Sequence, residues 1–326
     1  MGLFSNNKKL CPICGNPTPR LLADKVEGMP ICKECAKKVY LPDGMLNQMS
    51  LDEFQEYLNF YDENQQLRDA FSSTYQFNFG FFGGDIFVDA ANRLFRLCGD
   101  EKALVFEGAN LKAVRILEDE ILLMEGTAGQ LKRFQTGVYE RANSLAPQIS
   151  QFQAEMREYE WAEEMRERRE RDERLRGQSE MGKHPGTVMP PVVRSRPSFD
   201  APDPVKRFYV EVELEHPYWT ERRWEFSAPS FSSSDPSIND YMDSYQEKVD
   251  KLHELAVNLM QAAFGNVQEI SESTNTTFQN PAGQQVIIQQ APVDTAAELQ
   301  KYKALLDQGI LTEEEFTAKK RQLLGI

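Results

Sequence analysis

The sequence predicts a multidomain α+β chain. It comprises a small cysteine-built module, an antiparallel β region interrupted by a charged insertion and closed by one long helix, and a short C-terminal helical hairpin. Three observations carry this reading. Four of the five cysteines fall into two C-x2-C pairs near the start of the chain. The apolar period then switches between the two-residue alternation of strands and the three-to-four spacing of helices. Stretches rich in Pro or in Gln, Asn, Ser and Thr separate these blocks.

Residues 1–45 form the first block. Cys11, Cys14, Cys32 and Cys35 are spaced as C-x2-C, seventeen residues, C-x2-C. A C-x2-C pair bends the chain so that two sulfurs reach one ion, and a second pair completes the tetrahedral S4 set that Zn2+ prefers. Structural Zn2+ is therefore the expected cofactor. Four thiolates leave no open position for a catalytic water, so the metal is expected to fold the module. Gly15 permits the tight turn after Cys14, and Lys33 to Tyr40 reads as a short helix behind the second pair. Lys8, Lys9, Lys25, Lys33, Lys37 and Lys38 are close enough in sequence to offset the charge of the site.

Residues 46–73 read as a connecting helix, with Ser50 and Glu53 as a capping box and Leu51, Phe54, Tyr57, Leu58 and Tyr61 as its apolar face. Residues 74–124 read as short strands, with a hairpin turn at Asp89 to Asn92 and another at Glu118 to Glu120. Cys98 is expected as a lone thiol on a strand. Gly80, Gly83 and Gly84 around Phe81 and Phe82 read as a bulge or turn with an aromatic tip. Residues 125–206 form the insertion. Glu164 with Arg168, Glu167 with Arg171 and Glu170 with Arg174 support a solvated helix over 143–177, and 178–206 reads as a disordered Pro-rich linker. In 207–264 Phe208, Val210, Val212 and Leu214 alternate, as do Arg222, Trp224 and Phe226. A helix then carries the stripe Ile238, Met242, Tyr245, Val249, Leu252, Ala256, Leu259 and Ala263. Residues 265–293 are a second polar linker. Residues 294–326 form two short capped helices, with Leu299, Tyr302, Leu305 and Leu306 on the first, Ile310 and Leu311 in the turn, and Phe316 and Leu323 on the second. Helices this short are marginal alone, so these eight residues are the expected interaction surface.

Composition narrows the function. The chain has 326 residues and a formal net charge of −14, which argues against nucleic acid and anionic membrane as partners, since both are held through Lys and Arg. No run approaches the roughly 20 apolar residues of a membrane span, and Met1 to Lys9 carries no secretory leader pattern. Sparse, paired cysteines fit a reducing, cytoplasmic compartment. His184, His216 and His253 lie at no ligand or triad spacing, and no phosphate-loop or nucleophile motif occurs. No catalytic residues are expected, and the chain reads as non-enzymatic.

Three segments resemble known bacterial modules. Cys11-Pro12-Ile13-Cys14-Gly15 with Ile31-Cys32-Lys33-Glu34-Cys35 resembles the four-cysteine, zinc-ribbon or treble-clef-like N-terminal domain of a family of uncharacterised bacterial proteins. Phe71 to Thr74, Ile86 to Asp89 and Arg93 to Phe95 are similar to the segment C-terminal to that domain in the same family. The run Glu298 to Phe316, continuing to Lys319-Lys320, resembles the SHOCT domain, the "short C-terminal domain". That resemblance implies protein interaction or oligomerisation and brings no enzymatic activity. By pattern, the strands and long helix are similar to a PH-like barrel, here split between 74–124 and 207–264; fold alone would not establish lipid binding. The resulting expectation is a zinc-binding adaptor acting through protein contacts or self-association. The alternative is a nucleic-acid or membrane-surface binder using the zinc module or the barrel.

Overall fold

The computed structural model describes residues 10–80, 83–177 and 195–271. The chain divides into two compact units, Met1–Ser271 and Glu272–Ile326. All described residues lie in the first, so the predicted C-terminal hairpin falls outside them, as do Phe81 and Phe82.

The first unit is a mixed α+β structure. Strands β1 (Lys25–Val26) and β2 (Met29–Pro30) form a small hairpin, followed by α1 (Lys33–Ala36), α2 (Met45–Gln48), α3 (Leu51–Glu63) and α4 (Gln65–Ala70). Helix α1 is shorter than the Lys33 to Tyr40 expected. The start of α3 bears out the sequence: the Ser50 side chain accepts from the Glu53 amide and the Glu53 carboxylate accepts from the Ser50 amide. Strands β3 (Tyr75–Asn78), β4 (Asp85–Asp89), β5 (Leu94–Arg96) and β6 (Val105–Glu107) form a four-stranded antiparallel sheet in chain order. Cys98 lies beyond the end of β5, half-buried, and not on a strand.

The larger sheet contains β7 (Leu111–Glu118), β8 (Ile121–Thr127), β9 (Gln130–Arg133), β10 (Arg207–Leu214), β11 (Glu221–Ser227) and β12 (Gln268–Ser271), in the order β11-β10-β7-β8-β9-β12. Strand β10 lies antiparallel between β7 and β11, so residues before and after the insertion share one sheet. Residues 125–133, read from sequence as insertion, complete β8 and β9. Four residues of the polar stretch after 264 pair in parallel with β9 as β12.

The strands do not close into a barrel. No strand pair joins the two sheets among the described residues. Strand β3 is four residues long and the chain turns away at Gly80, whose φ of 98° suits glycine. The edges of β3 and β11 therefore meet through rings, Phe77 against Phe226 at 5.3 Å and Phe79 stacked on Trp224 at 5.4 Å.

Helix α7 (Ile238–Phe264) covers the core. Tyr245, Val249, Leu252, Ala256, Leu259 and Ala263 of the expected stripe are buried, while Ile238 and Met242 at its start are half-buried. Its C-terminal turn lies so close to the sheets that a Cβ at Gly108 would stand 2.1 Å from the Ala262 carbonyl oxygen. Arg93 donates to the carbonyls of Ala262 and Ala263, answering the unpaired acceptors of a helix end. At the other end of the sheet, fully buried Glu118 accepts from Tyr245 at 2.6 Å and from Thr136 at 2.8 Å and pairs with Arg141 of α5 (Val138–Asn143).

Helix α6 (Ala146–Gly177) is the predicted charged helix, with Glu164 and Arg168 paired at 3.3 Å. Ile149, Phe152 and Met156 bury its first half. Residues 195–206 depart from the expected disordered linker. Phe199 packs on Phe152 and on Phe231, Phe231 stacks on Tyr241 of α7, and Val205 is fully buried. A few apolar anchors fasten a segment whose average composition is that of a linker. No helix among the described residues is long and apolar enough to cross a membrane.

Candidate metal centre

The four cysteines arrive at one point from two local structures. Gly15, with φ of 71°, turns the chain after Cys14, and the Gly15 amide donates to the Cys11 carbonyl at 2.9 Å. The β1–β2 hairpin reverses through Glu27 and Gly28, both in the left-handed region, and delivers Cys32 as the N-cap of α1. There its sulfur accepts from the Cys35 amide at 3.5 Å.

All four sulfurs lie within 4.8 Å of one another. Cys14 Sγ is 3.4 Å from Cys32 Sγ and 3.7 Å from Cys35 Sγ, and Cys11 Sγ is 3.9 Å from Cys35 Sγ. A tetrahedron with metal–sulfur bonds of ~2.3 Å has edges of ~3.8 Å, so the observed spacing fits one ion held by four thiolates. Cys11, Cys32 and Cys35 are buried and Cys14 is exposed.

Protonation points the same way. Burial raises the Cys11 thiol, but hydrogen bonds from the Cys32, Cys14 and Ile13 backbones outweigh it and bring it down to about 7. Cys35 is pushed up by burial and by the sulfurs beside it. Cys14 is also raised: the Asn16 backbone lowers it, while burial and the Cys32 sulfur more than offset this. One thiolate is favoured and its neighbours resist a second negative charge. A dication among them reverses that balance, because thiolates are the ligating form.

The lysines expected to offset the site are partly engaged elsewhere. Lys37 pairs with Glu34 at 2.9 Å and Lys38 with Asp62 at 2.5 Å; Lys8 and Lys9 are outside the described residues. The cysteine segment is also fastened to the rest of the unit. Tyr57 of α3 donates to the Lys38 carbonyl and accepts from the Tyr40 amide, and Trp219 Nε1 donates to the Tyr40 carbonyl at 3.0 Å.

No other group of three or more potential ligands gathers among the described residues. His216 sits among Phe60, Phe106 and Tyr218, and its Nδ1 accepts from the Tyr218 and Trp219 amides. His253 Nε2 is 3.4 Å from Glu269. His184 is not among the described residues, nor are Leu299, Tyr302, Leu305, Leu306, Ile310, Leu311, Phe316 and Leu323. A basic groove is not apparent from the sequence: Lys206, Arg207, Arg222 and Arg223 share it with Trp224. Its only sequence signal is two basic dipeptides, one at the start of β10 and one on β11, hidden in an acidic total.

No curated protein and no solved structure matches the chain. One family model does, over the segment where all eight expected interaction residues fall: residues 297–324 match the short C-terminal domain, SHOCT.

Proposed function

We propose that the chain is a cytoplasmic, non-enzymatic adaptor. A structural Zn2+ held by Cys11, Cys14, Cys32 and Cys35 stabilises its first unit, and residues 297–324 capture a protein partner or a second copy. The observation that carries the reading is the SHOCT match over residues 297–324. The closed four-sulfur set supports a structural metal: thiolate softness and tetrahedral spacing favour Zn2+, and a filled shell offers no site for substrate. Two largely antiparallel sheets covered by α7 are the features that support reading this unit as PH-like in open form.

The test is a pair of variants, Leu305→Asp and Phe316→Asp, in the full chain. Each is expected to abolish partner capture in a pull-down, or to lower the mass by light scattering, with zinc content and melting unchanged. Wild-type mass and wild-type partners in both variants would remove the hairpin as the recognition element.

A further inference from the structure

The free edge of β11 borders a groove of about 630 Å³ whose other bank is Phe79 and Gly83. Among the described residues β11 pairs with β10 alone, so its outer row of amides and carbonyls has no strand partner there. Such an edge is a template for another strand.

The groove is cationic in a chain of net charge −14. Lys206, Arg207, Arg222 and Arg223 line it against one carboxylate, Glu225. Arg207 pairs with Glu225, and Arg223 reaches Glu211 at 3.2 Å. Arg222 is held differently. Its guanidinium lies 5.4 Å from the Trp219 ring and 5.0 Å from the Trp224 ring, with no acceptor or carboxylate bonded to it among the described residues. Burial holds it below the ordinary arginine value, with weak opposition from Cys98 and Asp43. Trp224 is 4% exposed, and its Nε1 has no hydrogen-bond partner among the described residues. Buried donors of this kind are almost always paired. Here an orphan indole N–H and an uncompensated guanidinium sit side by side on an unpaired strand edge.

We propose that this groove binds an acidic peptide in extended form, added as a strand to the free edge of β11. Backbone pairing supplies register, as in other strand-addition complexes. Side chains of an added strand alternate between the two faces. One set of carboxylates then meets Arg222 beside Trp224, and the other meets Arg223 and Arg207. The occupant is a peptide because the feature that distinguishes the groove from a plain basic patch is the strand edge; a phosphate or a membrane surface has nothing to pair with it. None of the residues lining this site belongs to residues 297–324.

The experiment uses the full zinc-loaded chain and a fluorescein-labelled peptide of consecutive glutamates, which presents carboxylates on both strand faces, read by fluorescence anisotropy. Binding is expected, weakening as salt rises, and no binding is expected from the same peptide with lysine in place of glutamate. The glutamate peptide N-methylated throughout keeps its charge and loses its strand-pairing amides, so it should not bind. Arg222→Gln combined with Arg223→Gln should weaken binding by about tenfold or more at unchanged melting temperature; if that pair unfolds, exposed Lys206→Gln gives the same direction. Equal binding of the N-methylated peptide would reduce the site to non-specific charge and overturn the proposal. So would displacement of the peptide by equimolar inorganic phosphate or phosphatidylserine vesicles, or no peptide binding at all.

Discussion

His216 shows how one residue turns composition into a measurable property. Burial among three aromatic rings holds its imidazole down to about 4, against an ordinary value near 6.5. Neutral Nδ1 then accepts two backbone amides, which a protonated Nδ1 cannot do. Below pH ~6.5 the unfolded chain takes up a proton that the folded chain refuses. This residue's contribution is therefore intact above pH ~6.5, falls as pH drops, and is gone once the folded form protonates near 4. Allowing for its partial exposure, about 1–2 kcal/mol is expected over that window. His216→Asn keeps a short acceptor for the same amides and does not titrate. Urea titrations between pH 4 and 7 should give a flatter profile for the variant, and the metal centre common to both chains cancels in the difference. Identical slopes would show that His216 does not titrate in this way.

At the scale of elements, α6 and its return segment set a length requirement. Phe152 and Phe199 are in contact at 5.7 Å, yet 25 helical residues, ~38 Å at 1.5 Å each, separate Phe152 from Gly177. The 21 residues from 178 to 198 must cover that distance, and fully extended they reach ~70 Å. Removing seven residues within 178–194 leaves ~46 Å of reach and should leave the melting temperature unchanged. Removing all seventeen leaves four residues, ~13 Å, and should undock Phe199, exposing the Phe231–Tyr241 pair to quenchers. Unchanged melting in the long deletion would mean that Phe199 is not an anchor. The same elements show what the sequence could disclose. The α3 capping box, the β4–β5 and β7–β8 turns and the α7 stripe were legible because each signal is local in residue type and spacing. Phe199 and Val205 were not, since their burial comes from α6, Phe231 and α7, far away in sequence. Strands β9 and β12 were missed for a related reason: Gln130 to Arg133 and Gln268 to Ser271 carry little alternation, and pairing with β8 and with each other holds them. The clustering of the four cysteines was legible, because C-x2-C spacing is itself the constraint. The basic groove was not, because antiparallel pairing of β10 with β11 assembles it.

Across the whole first unit, one contiguous apolar cluster runs from Cys11, Val26 and Ile31 through Phe54 and Tyr57 to the sheets and α7. The sequence sets residues 1–45 apart as a block of their own, whereas this packing and the Tyr40–Tyr57–Trp219 hydrogen bonds link it to α3 and the β10–β11 turn. Metal binding in such modules is worth ~10–16 kcal/mol of folding energy. Chelation, or Cys32→Ser, is therefore expected to lower one common melting transition by about 20 °C or more, followed in parallel by tryptophan fluorescence and far-UV circular dichroism. The untreated chain should carry about one Zn2+ by elemental analysis, the number one closed tetrahedral site accepts. Two separate transitions, with the sheets melting at the untreated temperature, would return the module to independence.

The position of α7 in the chain also bears on how the protein is made. The sheets rest on a helix that begins at Ile238 and ends at Phe264, while α3, which contributes to the same core, ends at Glu63. A ribosome adding ~5–20 residues per second emits α7 ~10–40 s after α3. From the moment each is made until α7 follows, Val88, Ile116 and Val210 have no helix to cover them. A nascent chain in this state is a natural client for chaperones, and a synonymous change that slows translation after residue 227 prolongs the exposure without altering a single contact of the finished molecule.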